Sequence, residues 1–153
     1  MFRVPYGDAE LEFMLQPWFE VDIVESGSMS PLDDVPAAAR AALAKPRGTS
    51  RLRELARDVV ARRAGATAVI AVTDLTRACP DDSLVPPLLE ELNAGGIADD
   101  HITVVIAVGL HRATTEAEKR TKLGPVGDRV RFIDSEGRDP SAWVDLGRTR
   151  TGG

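Results

Sequence analysis

The chain has 153 residues with 24 acidic against 19 basic side chains, a formal net charge of −5, which argues against a general nucleic-acid binder, whose footprint is basic. Its length is that of one ordinary domain able to bury roughly 70% of the surface its unfolded form exposes, so a core is available without disulfides or a structural metal. Cys79 is the single cysteine and there are two histidines, which excludes an intramolecular disulfide and a self-contained Cys/His zinc set.

The opening "MFRVPYGDAELEF" lacks a basic-then-apolar leader pattern, and apolar runs such as "AVIAV" are far too short to span a bilayer. The expectation is a soluble, cytoplasmic protein without a membrane or nucleic-acid partner. "FRVPYGDAELEFML" predicts two short strands around a Tyr6-Gly7-Asp8 turn, and "FEVDIVES" a third strand. "SGSMSPLDDVP" carries turn formers, and Pro36 suits the first turn of a helix through "AAARAALA" that Pro46 and Gly48 oppose. From Arg51 to Arg63, Leu52, Leu55, Ala56, Val59 and Val60 recur at helical spacing with charges on the other faces, an amphipathic helix.

"ATAVIAVT" follows as an apolar run of strand length, predicted to be buried on both faces like a central parallel strand. "DSLVPPLLEELNAGG" predicts a helix with Leu84, Leu88, Leu89 and Leu92 inward and Gly95 at its end. "ITVVIAVGL" is a further buried strand, "TTEAEKRTKLG" a helix, and "RVRFIDS" a last strand. Strand and helix alternate from residue 66 onward, the order of parallel strands with right-handed crossovers. The fold expected is α/β, a Rossmann-like, mainly parallel sheet with flanking helices and an N-terminal β-hairpin, one domain over 1–153. The tail "DLGRTRTGG" is too poor in apolar residues for a finished edge, and reads as the end of a fragment or of one domain.

Two loops carry polar groups that an ordinary turn does not require. "AVTDLTRACPDD" leaves its strand with Asp74, Thr76 and Arg77 in close succession, and "IAVGLHRATTEAE" has His111 and Arg112 in the corresponding place. In open parallel sheets ligands sit beyond the carboxyl ends of the strands, near a reversal of strand order. If the two strands are neighbours, one crevice receives Arg77 as a bidentate clamp for carboxylate or phosphate, His111 as a proton carrier, and Asp74 to orient either. Those are tools for a small anionic substrate. The bland alternative is that Asp74 and Thr76 tie down the loop through side-chain to backbone bonds, Arg77 faces water, and His111 is a satisfied loop histidine.

Other motifs have sufficient structural explanations. "TEAE" at 115–118 has capping-box spacing and holds the helix after His111. "EKRTK" at 118–122 reads as a solvated helix face. Cys79 has no histidine near it in sequence and reads as structural. An Asp-x-Asp-x-Thr phosphoryl-transfer motif fails because Val72 stands in the nucleophile position, and no G-x-G-x-x-G follows a strand.

At the two loops the sequence resembles the lactate racemase family, the nickel-pincer-nucleotide-dependent 2-hydroxyacid racemases and epimerases, in its N-terminal domain. "DLTR" at 74–77 matches the family's Asp-x-Thr-Arg-Pro-x-Pro segment, and "GLHRATTEAE" at 109–118 its Gly-x-His-Arg-x-x-Thr-x-x-Glu segment. "VPYGDAELEF", "RLRELA" and "VDLGRT" extend the likeness over nearly the whole chain. The resemblance implies a racemase in which a histidine takes the hydroxyl proton while hydride moves from the substrate carbon to the cofactor's pyridinium ring. It makes His111 the acid/base residue, Arg77 and Asp74 further catalytic residues, and Asp74, Thr76 and Arg77 the cofactor-binding set. It also implies that the cofactor-tethering lysine, the nickel-binding histidine and a second acid/base histidine come from a C-terminal domain or partner chain, leaving this chain inactive alone. Ala78 and Cys79 depart from the family's proline-rich segment and leave the loop less rigid. A stand-alone module binding a small anion or nucleotide, and a purely structural domain, are the alternatives.

Overall fold

In the computed structural model, which describes residues 1–151, the hairpin forms where expected. β1 (Phe2–Tyr6) pairs antiparallel with β2 (Ala9–Phe13), Phe2 opposite Phe13 and Tyr6 opposite Ala9. Gly7 takes φ +60° at the first of two turn positions, the sign that a tight right-twisted hairpin demands. Stacked Phe2 and Phe13 rings, 5.8 Å apart, and the Arg3–Glu12 ion pair at 2.6 Å brace its two faces. The strand expected in "FEVDIVES" does not form: residues 19–26 join no ladder, and Val21, Ile23 and Val24 are exposed. Alternating apolar residues describe a strand only when a partner strand takes up their backbone bonds.

The chain divides into two compact units, Met1–Pro31 and Leu32–Gly153. The second opens with α1 (Val35–Ala44), whose cap Asp34 accepts from the Ala37 amide at 2.8 Å with Pro36 in the first turn. α2 (Leu52–Arg62), β3 (Ala68–Thr73), α3 (Asp81–Ala94), β4 (Ile102–Ala107), α4 (Glu116–Leu123) and β5 (Arg131–Asp134) follow. β3, β4 and β5 are parallel and lie in chain order. Successive right-handed crossovers between neighbouring strands put both connecting helices on one face. On that face Ile102, Val104 and Ile106 of β4 are fully buried with Val85 and Leu89 of α3 and Leu123 of α4. The tail beyond Thr151, the last two glycines of "DLGRTRTGG", lies outside the described residues.

Three expectations about packing change. β3 is an edge strand, with Val69 67% exposed and Val72 alone buried along it. A continuous apolar run cannot say how many neighbours it has, and β4, with a strand on each side, takes the fully buried positions. The burial of α3 rests on Val85, Pro87, Leu89 and Leu92, with Leu84 and Leu88 half-buried. Strand order does not reverse among the described residues, so no topological switch point creates a crevice. Buried Glu91 instead shows how α2 docks on α3: it accepts from Arg53 Nε at 3.0 Å, the Arg53 amide at 3.3 Å and Arg51 Nη2 at 3.2 Å. The Arg53 hydrogen bond above all holds its carboxyl down to about 2.

Candidate functional site

The register of the sheet brings the two polar loops together. Ala68 pairs with Ile102 and Thr73 with Ala107 without stagger, so the chain leaves both strands at the same level. Asp74, the first residue past β3, is buried. Its Oδ1 accepts from the Thr76 amide at 3.2 Å and the Thr76 hydroxyl at 2.8 Å, an Asx turn that ties the loop down as the bland reading requires. Its Oδ2 does something that reading does not require: it takes a hydrogen bond from His111 Nδ1.

His111 reaches Asp74 because the chain turns sharply after β4. The His111 amide donates to the Val108 carbonyl at 2.9 Å across Gly109, which adopts φ +57°, a backbone conformation costly for any residue with a Cβ. The hydrogen bond from His111, followed by those from Thr76, holds the Asp74 carboxyl below its ordinary range. Asp74 is therefore a charged acceptor at neutral pH, so Nδ1 is the nitrogen that carries the hydrogen of this bond, which in the neutral imidazole leaves the lone pair on Nε2. The His111 side chain is 56% exposed while that of Asp74 is 8% exposed, an accessible imidazole on a buried anchor.

Arg77 is exposed, and its guanidinium makes no hydrogen bond or ion pair among the described residues. It lines a cleft of about 430 Å³ with Thr73, Asp74, Gly109 and His111. A second cleft of about 690 Å³ opens beside His111 toward Arg112, Lys119, Arg131 and Arg138. Arg112 is engaged elsewhere: its Nη1 and Nη2 donate to Glu118 at 2.9 and 2.6 Å. Glu118 also closes the expected capping box, accepting from the Thr115 amide at 2.8 Å. Arg112 foremost, then Thr115, holds its carboxyl down to about 2. Cys79 is half-buried and burial pushes its thiol up, which removes thiolate character. Among the described residues no cluster of three or more His, Cys, Asp or Glu side chains is placed to hold a metal ion.

Sequence reasoning missed two supports. The basic run "EKRTK" is not uniformly solvated: Lys122 is 8% exposed and pairs with buried Asp81 at 2.6 Å. The other support is the exit from β5. The Ser135 amide donates to the Ile106 carbonyl at 2.8 Å, and the Val108 amide donates to Ser135 Oγ at 3.1 Å. Arg138 Nε donates to the Leu110 carbonyl at 3.0 Å. Between them, Gly137 lies so close that a Cβ there would collide with the Gly109 carbonyl oxygen. Gly137→Ala must push the His111 turn away, and overpacking of this kind costs about 1–3 kcal/mol. A fall in denaturant midpoint of that size, with altered chemical shifts at Gly109 to His111, is the expected outcome, and unchanged stability would show that the turn yields freely. "SEGR" after a predicted strand was the available signal, but nothing local says what its glycine faces.

Residues 6–153 match the family model described as the lactate racemase N-terminal domain. The lactate racemase of Thermoanaerobacterium thermosaccharolyticum is 29% identical over 154 residues, covering 99% of this chain and 34% of that protein. The solved structure of the lactate racemase apoprotein from the same organism is similar with a TM-score of 0.75 at 28% identity, covering 99% of this chain and 34% of that one. The chain thus spans about a third of the length of each of these relatives.

Proposed function

The chain belongs to the lactate racemase N-terminal domain family, and on that premise we propose that it supplies the proton-handling half of a 2-hydroxyacid racemase or epimerase site. The observation that carries this reading is the exposed His111 imidazole, held by buried Asp74, sharing a cleft with the unpaired Arg77 guanidinium. His111 Nε2 takes the proton of the substrate hydroxyl and later returns it. Asp74 keeps Nδ1 protonated and stabilises the imidazolium formed in between. Arg77 binds an anionic group, the substrate carboxylate or a phosphate, through its planar fork. The substrate class is a small 2-hydroxy acid.

The donor set fits the organic, anionic part of the nickel-pincer nucleotide that the family implies. Arg77, exposed and unpaired, would hold its phosphate, and Asp74 and Thr76 of the same loop would complete the set. When bound, the cofactor supplies the hydride acceptor. Its metal ligand and tethering lysine are read as belonging to a further domain or partner chain, so turnover by this chain alone is not expected. A cytoplasmic setting is part of the same proposal.

The free guanidinium also suits a module that binds a small anion without turning it over, and a titration separates the two. With lactate as the probe, this chain, as half of an interdomain site, is expected to bind weakly, with saturation in the millimolar range or above. In the complete, cofactor-loaded protein, Arg77→Ala is expected to raise KM about 10- to 100-fold, the loss of a hydrogen-bonded charge pair worth about 1.5–3 kcal/mol. Micromolar binding by the chain alone, lost in Arg77→Ala, together with no racemisation by the complete protein, would favour the module.

A further inference from the structure

Directly beneath the paired loops lies a buried ion pair that the proposed chemistry leaves unused. Lys122, near the end of α4, and Asp81, at the start of α3, have side chains 5% and 6% exposed and approach to 2.6 Å. The ammonium has three hydrogens to place, and it places all of them. Besides Asp81, it donates to the Asp74 carbonyl at 3.2 Å and to the Thr73 hydroxyl at 3.3 Å. Its burial and its full set of partners rule out direct contact with a substrate.

A buried ion pair is weak evidence of a contribution to stability, because an apolar pair of similar volume serves as well or better. What an apolar pair cannot do is grip a carbonyl. The Asp74 carbonyl is held by Lys122 and by the Arg77 amide at 3.2 Å, while the carboxylate of the same residue holds His111. The connections close into a ring: Asp74 to His111, along the loop to α4, and from α4 through Lys122 back to Asp74. Without Lys122 the carbonyl keeps only the Arg77 amide, a contact inside its own loop, so the strand-end peptide loses its tie to α4 and the loop can shift with the carboxylate it carries.

We propose that Lys122, with Asp81 as its counter-ion, is a positioning residue that locks the Asp74 peptide and thereby sets the orientation and tautomer of His111. Its effect on turnover rests on the racemase reading above; its effect on His111 does not. The test uses the complete protein labelled with [15N]histidine, the His111 resonance being identified by its loss in His111→Gln. In Lys122→Met/Asp81→Leu the buried charges go together, so the melting temperature is expected to stay within a few degrees of the parent. The Nδ1–H signature of His111 is expected to give way to a mixture with the Nε2–H form. The kcat value should fall about 10- to 100-fold, the scale of a misplaced catalytic group, with KM little changed.

A folded double variant with the His111 signature and kcat unchanged would overturn the proposal. Should the double variant not fold, Lys122→Gln carries the same expectations and the same overturning result, since it still donates to Asp81 but is too short to hold the Asp74 carbonyl as well. Loss of the signature in a protein whose parent also fails to racemise 2-hydroxy acids would uphold the positioning role and sink the racemase reading instead.

Discussion

Replacing His111 by alanine in the complete, cofactor-loaded protein is expected to lower kcat/KM for 2-hydroxyacid racemisation by about 10²- to 10⁴-fold, the usual contribution of a positioned acid/base group. The imidazole side chain is 56% exposed and its hydrogen bond is to Asp74, so the fold should survive. Loss of that bond leaves one oxygen of a buried carboxylate without its partner, at a cost of about 1–3 kcal/mol. The Asp74 carboxyl should then titrate higher, because the bond from His111 is the first cause of its lowered value. Chiral chromatography of the product and a circular-dichroism melt measure the two effects separately. Full activity in the variant would remove His111 from the mechanism.

Asp74→Asn is expected to be nearly as damaging, through the tautomer rather than the charge alone. Oδ1 of Asp74 accepts from both the amide and the hydroxyl of Thr76, while Oδ2 accepts from His111 Nδ1. An asparagine has one oxygen, which the two Thr76 donors claim. Its NH2 group then faces Nδ1, which must become an acceptor, and the hydrogen moves to Nε2 where the lone pair is needed. Loss of the correct tautomer in a His–carboxylate pair costs up to about 10⁴-fold in kcat. The pH dependence of the parent follows from the same pair. A carboxyl whose folded value is depressed contributes its stabilisation at and above the ordinary carboxylate range and loses it as pH falls through the lowered value. His111 should therefore keep its charged partner through the whole neutral range, and its Nδ1–H signal should persist there. Equal activity and an unchanged ring-nitrogen spectrum in Asp74→Asn would contradict this.

The candidate site was half legible before any tertiary structure. "DLTR" and "GLHR" at the ends of two apolar runs pointed to Asp74, Arg77 and His111 because polar side chains after buried strands need a reason. "TEAE" announced the start of α4 through a local pattern four residues long. What those patterns could not disclose is which side chain of a basic cluster turns inward. Within the run 118–122 Arg120 is exposed while Lys122 is buried on Asp81, and only the packing of α4 against α3 and the end of β3 separates the two.

Legible in the chain alone were the order of the elements from α1 onward, the parallel α/β class and the residue types at the two strand ends. Those properties are written in periodicity, caps and turn formers, each readable within a dozen residues. Tertiary structure alone decided that β3 is an edge, that "FEVDIVES" finds no partner strand, and that Asp74 meets His111 across an unstaggered register. It also decided that Lys122 and Gly137 support the pair from below and beside. Each of these depends on which distant segment arrives next to a given residue, and burial, strand pairing and ion pairing are properties of that neighbour as much as of the residue itself.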